Sequence, residues 1–128
     1  MATLRKLADA VYFIQLKNAE VAAKLALDID RRLVNRTPRD TGRAARNWVA
    51  SIRQPITSTL PAPANQGEAG QAIAEAAGVL KQVKPGDVIF IQNNLEYIQA
   101  LNNGHSPQAP PGFVEAEIQA ALASYQGR

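Results

Sequence analysis

The run Asp87-Val88-Ile89-Phe90-Ile91-Gln92 decides the fold of this chain. It is strand length rather than helix length, and Val88 to Ile91 put apolar side chains on both faces. A strand apolar on both faces belongs in the middle of its sheet. Pro85-Gly86 supplies the turn that leads into it. The period changes in the next stretch, Asn93-Asn94-Leu95-Glu96-Tyr97-Ile98-Gln99-Ala100-Leu101-Asn102-Asn103-Gly104, where Leu95, Ile98 and Leu101 form one apolar side of a short helix. Asn93 with Glu96 has the form of a capping box, which predicts a helix start at Asn93, and Gly104 predicts its end. The loop His105-Ser106-Pro107-Gln108-Ala109-Pro110-Pro111-Gly112 follows. Val114, Ile118, Ala121, Leu122 and Tyr125 then form the stripe of a last helix, with Pro111 suited to its first position.

Upstream, Leu4, Leu7, Val11, Ile14, Val21, Leu25, Ile29 and Leu33 recur at three- and four-residue steps, predicting one amphipathic helix over 3–35. Val11-Tyr12-Phe13-Ile14 alone reads as a strand, but its flanks carry the helical period. Such a helix is about 50 Å long, whereas a compact domain of this size is roughly 36 Å across. It must therefore kink, with Asn18 on its apolar stripe as a candidate site, or reach a neighbouring subunit. Thr37-Pro38 ends it, since the residue before proline avoids helical geometry. Asp40-Thr41-Gly42 is turn chemistry, and Arg43 to Arg53 alternates as a half-buried strand with Trp48, Ala50 and Ile52 inward.

Residues 54–66 hold Pro55, Pro61 and Pro63 and no charge, predicting a long flexible loop. Ile73, Ala76, Ala77, Leu80 and Val83 predict a second helix, capped by Asn65 and Glu68. These readings give one domain over 1–128. Its class is α+β, a long N-terminal helix and a C-terminal helix packed on a small, mostly antiparallel sheet.

Composition narrows the chemistry. The 128 residues are 46% hydrophobic and 20% charged, an ordinary globular balance. The absence of cysteine excludes disulfides, thiolate metal sites and a cysteine nucleophile. Charged residues interrupt the first twenty positions, and no apolar run approaches the ~20 residues of a membrane helix. The expectation is a protein made in the cytoplasm with no membrane contact. His105 is the only histidine, so paired imidazoles cannot bind a metal; it reads as a loop residue, against catalysis or a pH-dependent contact. Glu115 and Glu117 read as the solvated side of the last helix, and no phosphate-cradling glycine motif occurs. Neither catalysis nor a cofactor is expected.

The net charge of +3 is concentrated. Seven arginines lie between Arg31 and Arg53, with Asp40 as the only acid among them. Arginine forks suit carboxylate or phosphate, so the partner is an acidic protein surface or nucleic acid. Trp48 could stack on bases if exposed, but it lies on the apolar side of its segment.

Two stretches together resemble one family. Thr37-Pro38-Arg39-Asp40-Thr41-Gly42-Arg43-Ala44-Ala45-Arg46-Asn47-Trp48, followed by Asn93 to Pro110, resembles the neck, or tail-completion, proteins of tailed bacteriophages. In that family a Thr-Pro-x-Asp-Thr-Gly-Arg element follows a long first helix. An Asn-x-x-x-Tyr helix then leads into a Gly-x-Ser-x-Gln-Ala-Pro loop and a final helix. This chain departs from the pattern at Asn103 and in its proline-rich insert.

The resemblance implies a non-enzymatic virion protein of the neck, made in the host cytoplasm. It implies a homo-oligomeric ring of sixfold or twelvefold symmetry that joins the DNA-filled head to the tail. Its partners would be a head-side connector or portal-associated protein, the tail tube or tail terminator, and DNA passing through the channel. The interface residues it implies are Arg36, Arg39, Asp40, Arg43, Arg46, Tyr97, His105, Ser106 and Gln108. The alternative is a small nucleic-acid-binding domain that uses the Arg31 to Arg53 segment.

Overall fold

Strand β4 (Val88–Gln92) is central in the sheet, as its apolar faces require. The computed structural model describes residues 3–8, 10–39, 41–104 and 106–126. Within these the sheet is four-stranded and antiparallel, in the order β1-β2-β4-β3, with β1 at Thr3–Ala8, β2 at Val11–Gln15 and β3 at Val49–Ile52. Phe13 and Ser51 flank Phe90 in register, and the Phe13 and Phe90 rings lie 6.2 Å apart. Ile14, Ile89 and Ile91 are fully buried on the opposite face, where the helices pack. The fold is α+β.

The N-terminal segment corrects the sequence reading. There is no single helix over 3–35; β1 and β2 form a hairpin, and helix α1 runs only from Ala19 to Arg36. The three- and four-residue spacing of Leu4, Leu7, Val11 and Ile14 comes from two neighbouring strands rather than one helix. The period that decides the structure is two, since Tyr12, Ile14 and Leu16 are buried. Asn18 is not a kink but the start of α1, its extended backbone turning the side chain to accept from Val21 N at 3.1 Å. With 18 residues α1 is about 27 Å long. It fits inside the domain, so its length requires no neighbouring subunit.

Helix α1 is the hub. It packs against α3 (Gln71–Leu80) and α5 (Phe113–Gln126) and lies over the sheet, burying Leu25, Ile29 and Leu33. Thr37 closes it, as expected, with its backbone N–H and its hydroxyl both directed to Leu33 O. The expected strand over 43–53 is only partly a strand. Arg43–Arg46 form one helical turn, α2, because Gly42 at φ +87 reverses the chain before β3 begins. Trp48, between them, is completely buried in the core, where a side chain of this size contributes roughly 3 kcal/mol or more.

The proline-rich segment has no regular structure before a 3₁₀ stretch at Gln66–Gly70 leads into α3. It is nonetheless tied to the domain. Ile56 N donates to Gln92 Oε1 at 2.9 Å, Asn94 Nδ2 donates to Ile56 O at 2.7 Å, and Leu60 exchanges hydrogen bonds with the Asn47 side chain at 2.7 and 2.9 Å. Asn65 and Glu68 meet side chain to side chain at 2.9 Å without capping α3.

Two further expectations are corrected. Helix α4 begins at Ile98 and ends at Asn102, so Asn93 and Glu96 form no capping box. Asn93 is buried instead, donating to Ala44 O at 2.8 Å and accepting from Leu95 N at 3.2 Å. Nor does Pro111 open α5: Gly112 at φ +76 intervenes, and Pro111 packs against Gly104.

Candidate functional site

The two stretches that carry the family resemblance are locked face to face. The side chain of Gln108 reads the backbone of Arg39 as a strand would: Arg39 N donates to Gln108 Oε1 at 2.7 Å, and Gln108 Nε2 donates to Arg39 O at 3.3 Å. Arg36 Nη1 adds a bond to Gln108 O at 3.2 Å. Gln108 N in turn donates to Ser106 Oγ at 3.2 Å, which holds the loop in a tight turn. Two segments about 70 residues apart in sequence are thereby tied together by hydrogen bonds.

Between the clamped segments lies a cleft of about 370 Å³. Arg43, Ser106 and Gln108 supply polar lining, while Pro38, Leu101 and Tyr97 supply an apolar wall. Tyr97 keeps 42% of its surface exposed, one of two large hydrophobic residues to do so among the described residues. Gly104, just before the loop that carries Ser106 and Gln108, stands at φ +94. A Cβ placed there would come within 2.7 Å of Pro111 Cγ, so only glycine allows the proline to seat.

Of the interface residues expected from the sequence, Arg43, Tyr97, Ser106 and Gln108 line this cleft, and Arg36 and Arg39 brace it. Arg46 is not brought to it. Its side chain turns inward to Glu75 of α3, at 2.7 Å, and is only 14% exposed. Asp40 and His105 lie outside the described residues. Leu101 and Pro38 read from the sequence as part of a helix's apolar side and as a helix stop, not as site residues. Only the fold places them on a cleft wall.

The arginine segment divides by use. Arg31 and Arg32 pair with Asp28, Arg32 also reaches Glu117 at 3.7 Å, Arg46 pairs with Glu75, and Arg53 grips Asp87 through two bonds of 3.1 Å. Glu117 is therefore an α5-to-α1 tie rather than a purely solvated residue. Arg36 and Arg43 behave differently. Arg43 donates from Nε to Leu60 O at 3.0 Å and from Nη2 to Thr59 Oγ1 at 3.5 Å, while Arg36 donates to a carbonyl. Among the described residues no carboxylate neutralises either charge.

A larger concavity of about 760 Å³ lies between α1 and α5, but Arg31 and Arg32 on its wall are both paired with Asp28, and Arg32 also with Glu117. Among the described residues no group of three or more His, Asp or Glu side chains could hold a metal ion. No described helix is long and apolar enough to cross a membrane. No family model, curated protein or solved structure matches the chain.

Proposed function

We propose that this chain is a structural subunit of a tailed-phage neck, a tail-completion protein that assembles into a sixfold or twelvefold ring between the DNA-filled head and the tail. The reading makes it a virion protein without catalytic activity or cofactor. Its partners are other copies of itself, a head-side connector or portal-associated protein, and the tail tube or tail terminator.

The observation that supports this reading is the Gln108 clamp on Arg39. The Thr-Pro-Arg-Asp-Thr-Gly-Arg element and the Gly-His-Ser-Pro-Gln-Ala-Pro loop resemble neck-protein motifs separately, and hydrogen bonds between Arg36, Arg39 and Gln108 join the two stretches at the surface. A loop already held by such bonds loses less entropy on docking than a free one, which suits an assembly contact. Native mass measurement on the chain mixed with its neck partners tests the reading. A discrete sixfold or twelvefold species is the expected result, and a monomer under all such conditions would overturn it.

The alternative, a nucleic-acid-binding domain, draws less support from the geometry. Arg31, Arg32, Arg46 and Arg53 spend their charge on the chain's own carboxylates, and Trp48 is buried where it could not stack on a base.

A further inference from the structure

Arg43 lines the cleft with a charge that no described carboxylate neutralises, and we infer that the cleft receives an extended acidic segment of a partner protein. A carboxylate seats against the Arg43 guanidinium, and the neighbouring apolar side chain of the segment lies along Tyr97 and Leu101. This identification rests on the interface reading above.

The chemistry of the walls selects the ligand. Nη1 of Arg43 makes no hydrogen bond among the described residues, and its other donors hold neutral oxygens. A guanidinium in that state is a strong and geometrically defined receptor for a carboxylate. Arg36, whose charge is likewise uncompensated, stands behind Gln108 and raises the local positive potential. Beside Arg43 the cleft has an apolar wall of Pro38 and Leu101, and Tyr97 offers an exposed aromatic face of the kind that anchors peptide side chains.

Size separates peptide from duplex. About 370 Å³ accommodates a few side chains, whereas a DNA backbone needs a broad track with several free cations. Four of the seven arginines are already engaged with acids.

The source of the carboxylate follows from the chain's own acids. Among the described ones, five pair with lysine or arginine, two accept from asparagine amides, and Asp30 is buried. Glu96 remains, but it adjoins Tyr97 on the cleft's own rim. The occupant is accordingly an acidic segment of a different protein, with self-association as the competing outcome of the test.

The test is an NMR titration of the full ¹⁵N-labelled chain with the blocked peptide acetyl-Leu-Glu-Pro-Glu-Leu-amide and with its glutamine counterpart. The acidic peptide is expected to shift the Tyr97, Leu101 and Gln108 amides, and to bind about tenfold or more tightly than the glutamine form. Arg43→Gln should abolish that preference. Because Arg43 also holds Leu60, Tyr97→Ala serves as a second variant; its exposed ring can be removed without disturbing the core, and it should weaken both peptides alike.

Equal affinity of the two peptides, shifts located elsewhere, or no shifts up to about 10 mM would overturn the inference. So would the same cleft signals moving first with a short DNA duplex, or on self-association with no peptide present. Peptide failure with rings still forming leaves the neck reading intact, and peptide binding by a chain that never forms rings counts against the neck reading alone.

Discussion

Trp48 Nε1 donates to Thr37 Oγ1 at 2.8 Å, and the same hydroxyl donates to Leu33 O at 2.6 Å. One side chain thus ends α1 and satisfies the buried indole of the segment that enters β3. All the groups involved are buried. The turn that carries the proposed interface is thereby anchored to the core at its first residue.

Replacing that hydroxyl exposes the dependence. Thr37→Val keeps the shape but leaves the Trp48 N–H buried without an acceptor, so stability is expected to fall by about 1–3 kcal/mol. Thr37→Ser keeps the acceptor and should lose about 1 kcal/mol or less. Urea unfolding followed by Trp48 fluorescence measures both. Equal losses in the two variants would show that the hydrogen bond contributes nothing.

Asp30 carries the opposite lesson. It is fully buried on α1, and neither carboxylate oxygen has a partner among the described residues. Burial pushes its pKa well above the usual carboxylate range. The folded state therefore keeps a proton that the unfolded chain has released. This contribution to stability is full below the ordinary carboxylate pKa and is lost as pH rises through the raised folded value. Asp30→Asn removes that titration. Its stability advantage over the parent is expected to be small in acid and to grow with pH, by about 1.4 kcal/mol for each tenfold change in proton affinity. Parallel pH–stability curves for the two proteins would show that Asp30 does not titrate in this way.

How much of this was legible in the sequence depended on the range of the cause. The central strand was readable because Val88 to Ile91 state burial on both faces locally, and the end of α1 was readable because Thr37-Pro38 forbids continuation. The hairpin was not, because Leu4, Leu7, Val11 and Ile14 mimic a helical spacing across a turn that local periodicity does not register. Asn93 failed for a related reason. Its capping form is local, whereas its side chain is claimed by Ala44, 49 residues away in sequence. Each arm of the cleft carries one of the two motifs read as a family resemblance, yet the Gln108 clamp joins them across 69 residues, a range that no local pattern registers.

Gly104 and Gly86 form a natural pair of controls, at φ +94 and +84 respectively. A side chain at Gly86 meets nothing within 4 Å, so Gly86→Ala should cost only the left-handed backbone penalty, about 1–2 kcal/mol. At Gly104 the same substitution also collides with Pro111, and a loss of about 2–4 kcal/mol is expected. Adding Pro111→Ala should recover the difference between the two sites. A double-mutant cycle in thermal or urea unfolding reads this coupling directly, and a coupling of zero would mean the contact does not shape the loop.

The clamp itself can be opened without touching the core. Gln108 is exposed, so Gln108→Ala should lower global stability by no more than about 0.5–1.5 kcal/mol. Its local effect should be larger. The Arg39 amide, which now donates to Gln108 Oε1, loses its acceptor and is expected to exchange with solvent about tenfold faster or more, while amides within β4 keep their protection. Gln108→Glu discriminates further. A carboxylate still accepts from Arg39 N but cannot donate to Arg39 O, so the amide should remain protected while the loop turns away from the carbonyl. Hydrogen exchange followed by NMR resolves these outcomes residue by residue. An Arg39 amide that exchanges at the parent rate in Gln108→Ala would show that the two arms are held together by something other than this side chain, and the cleft should then be sought as a property of the Pro38 and Pro111 turns alone.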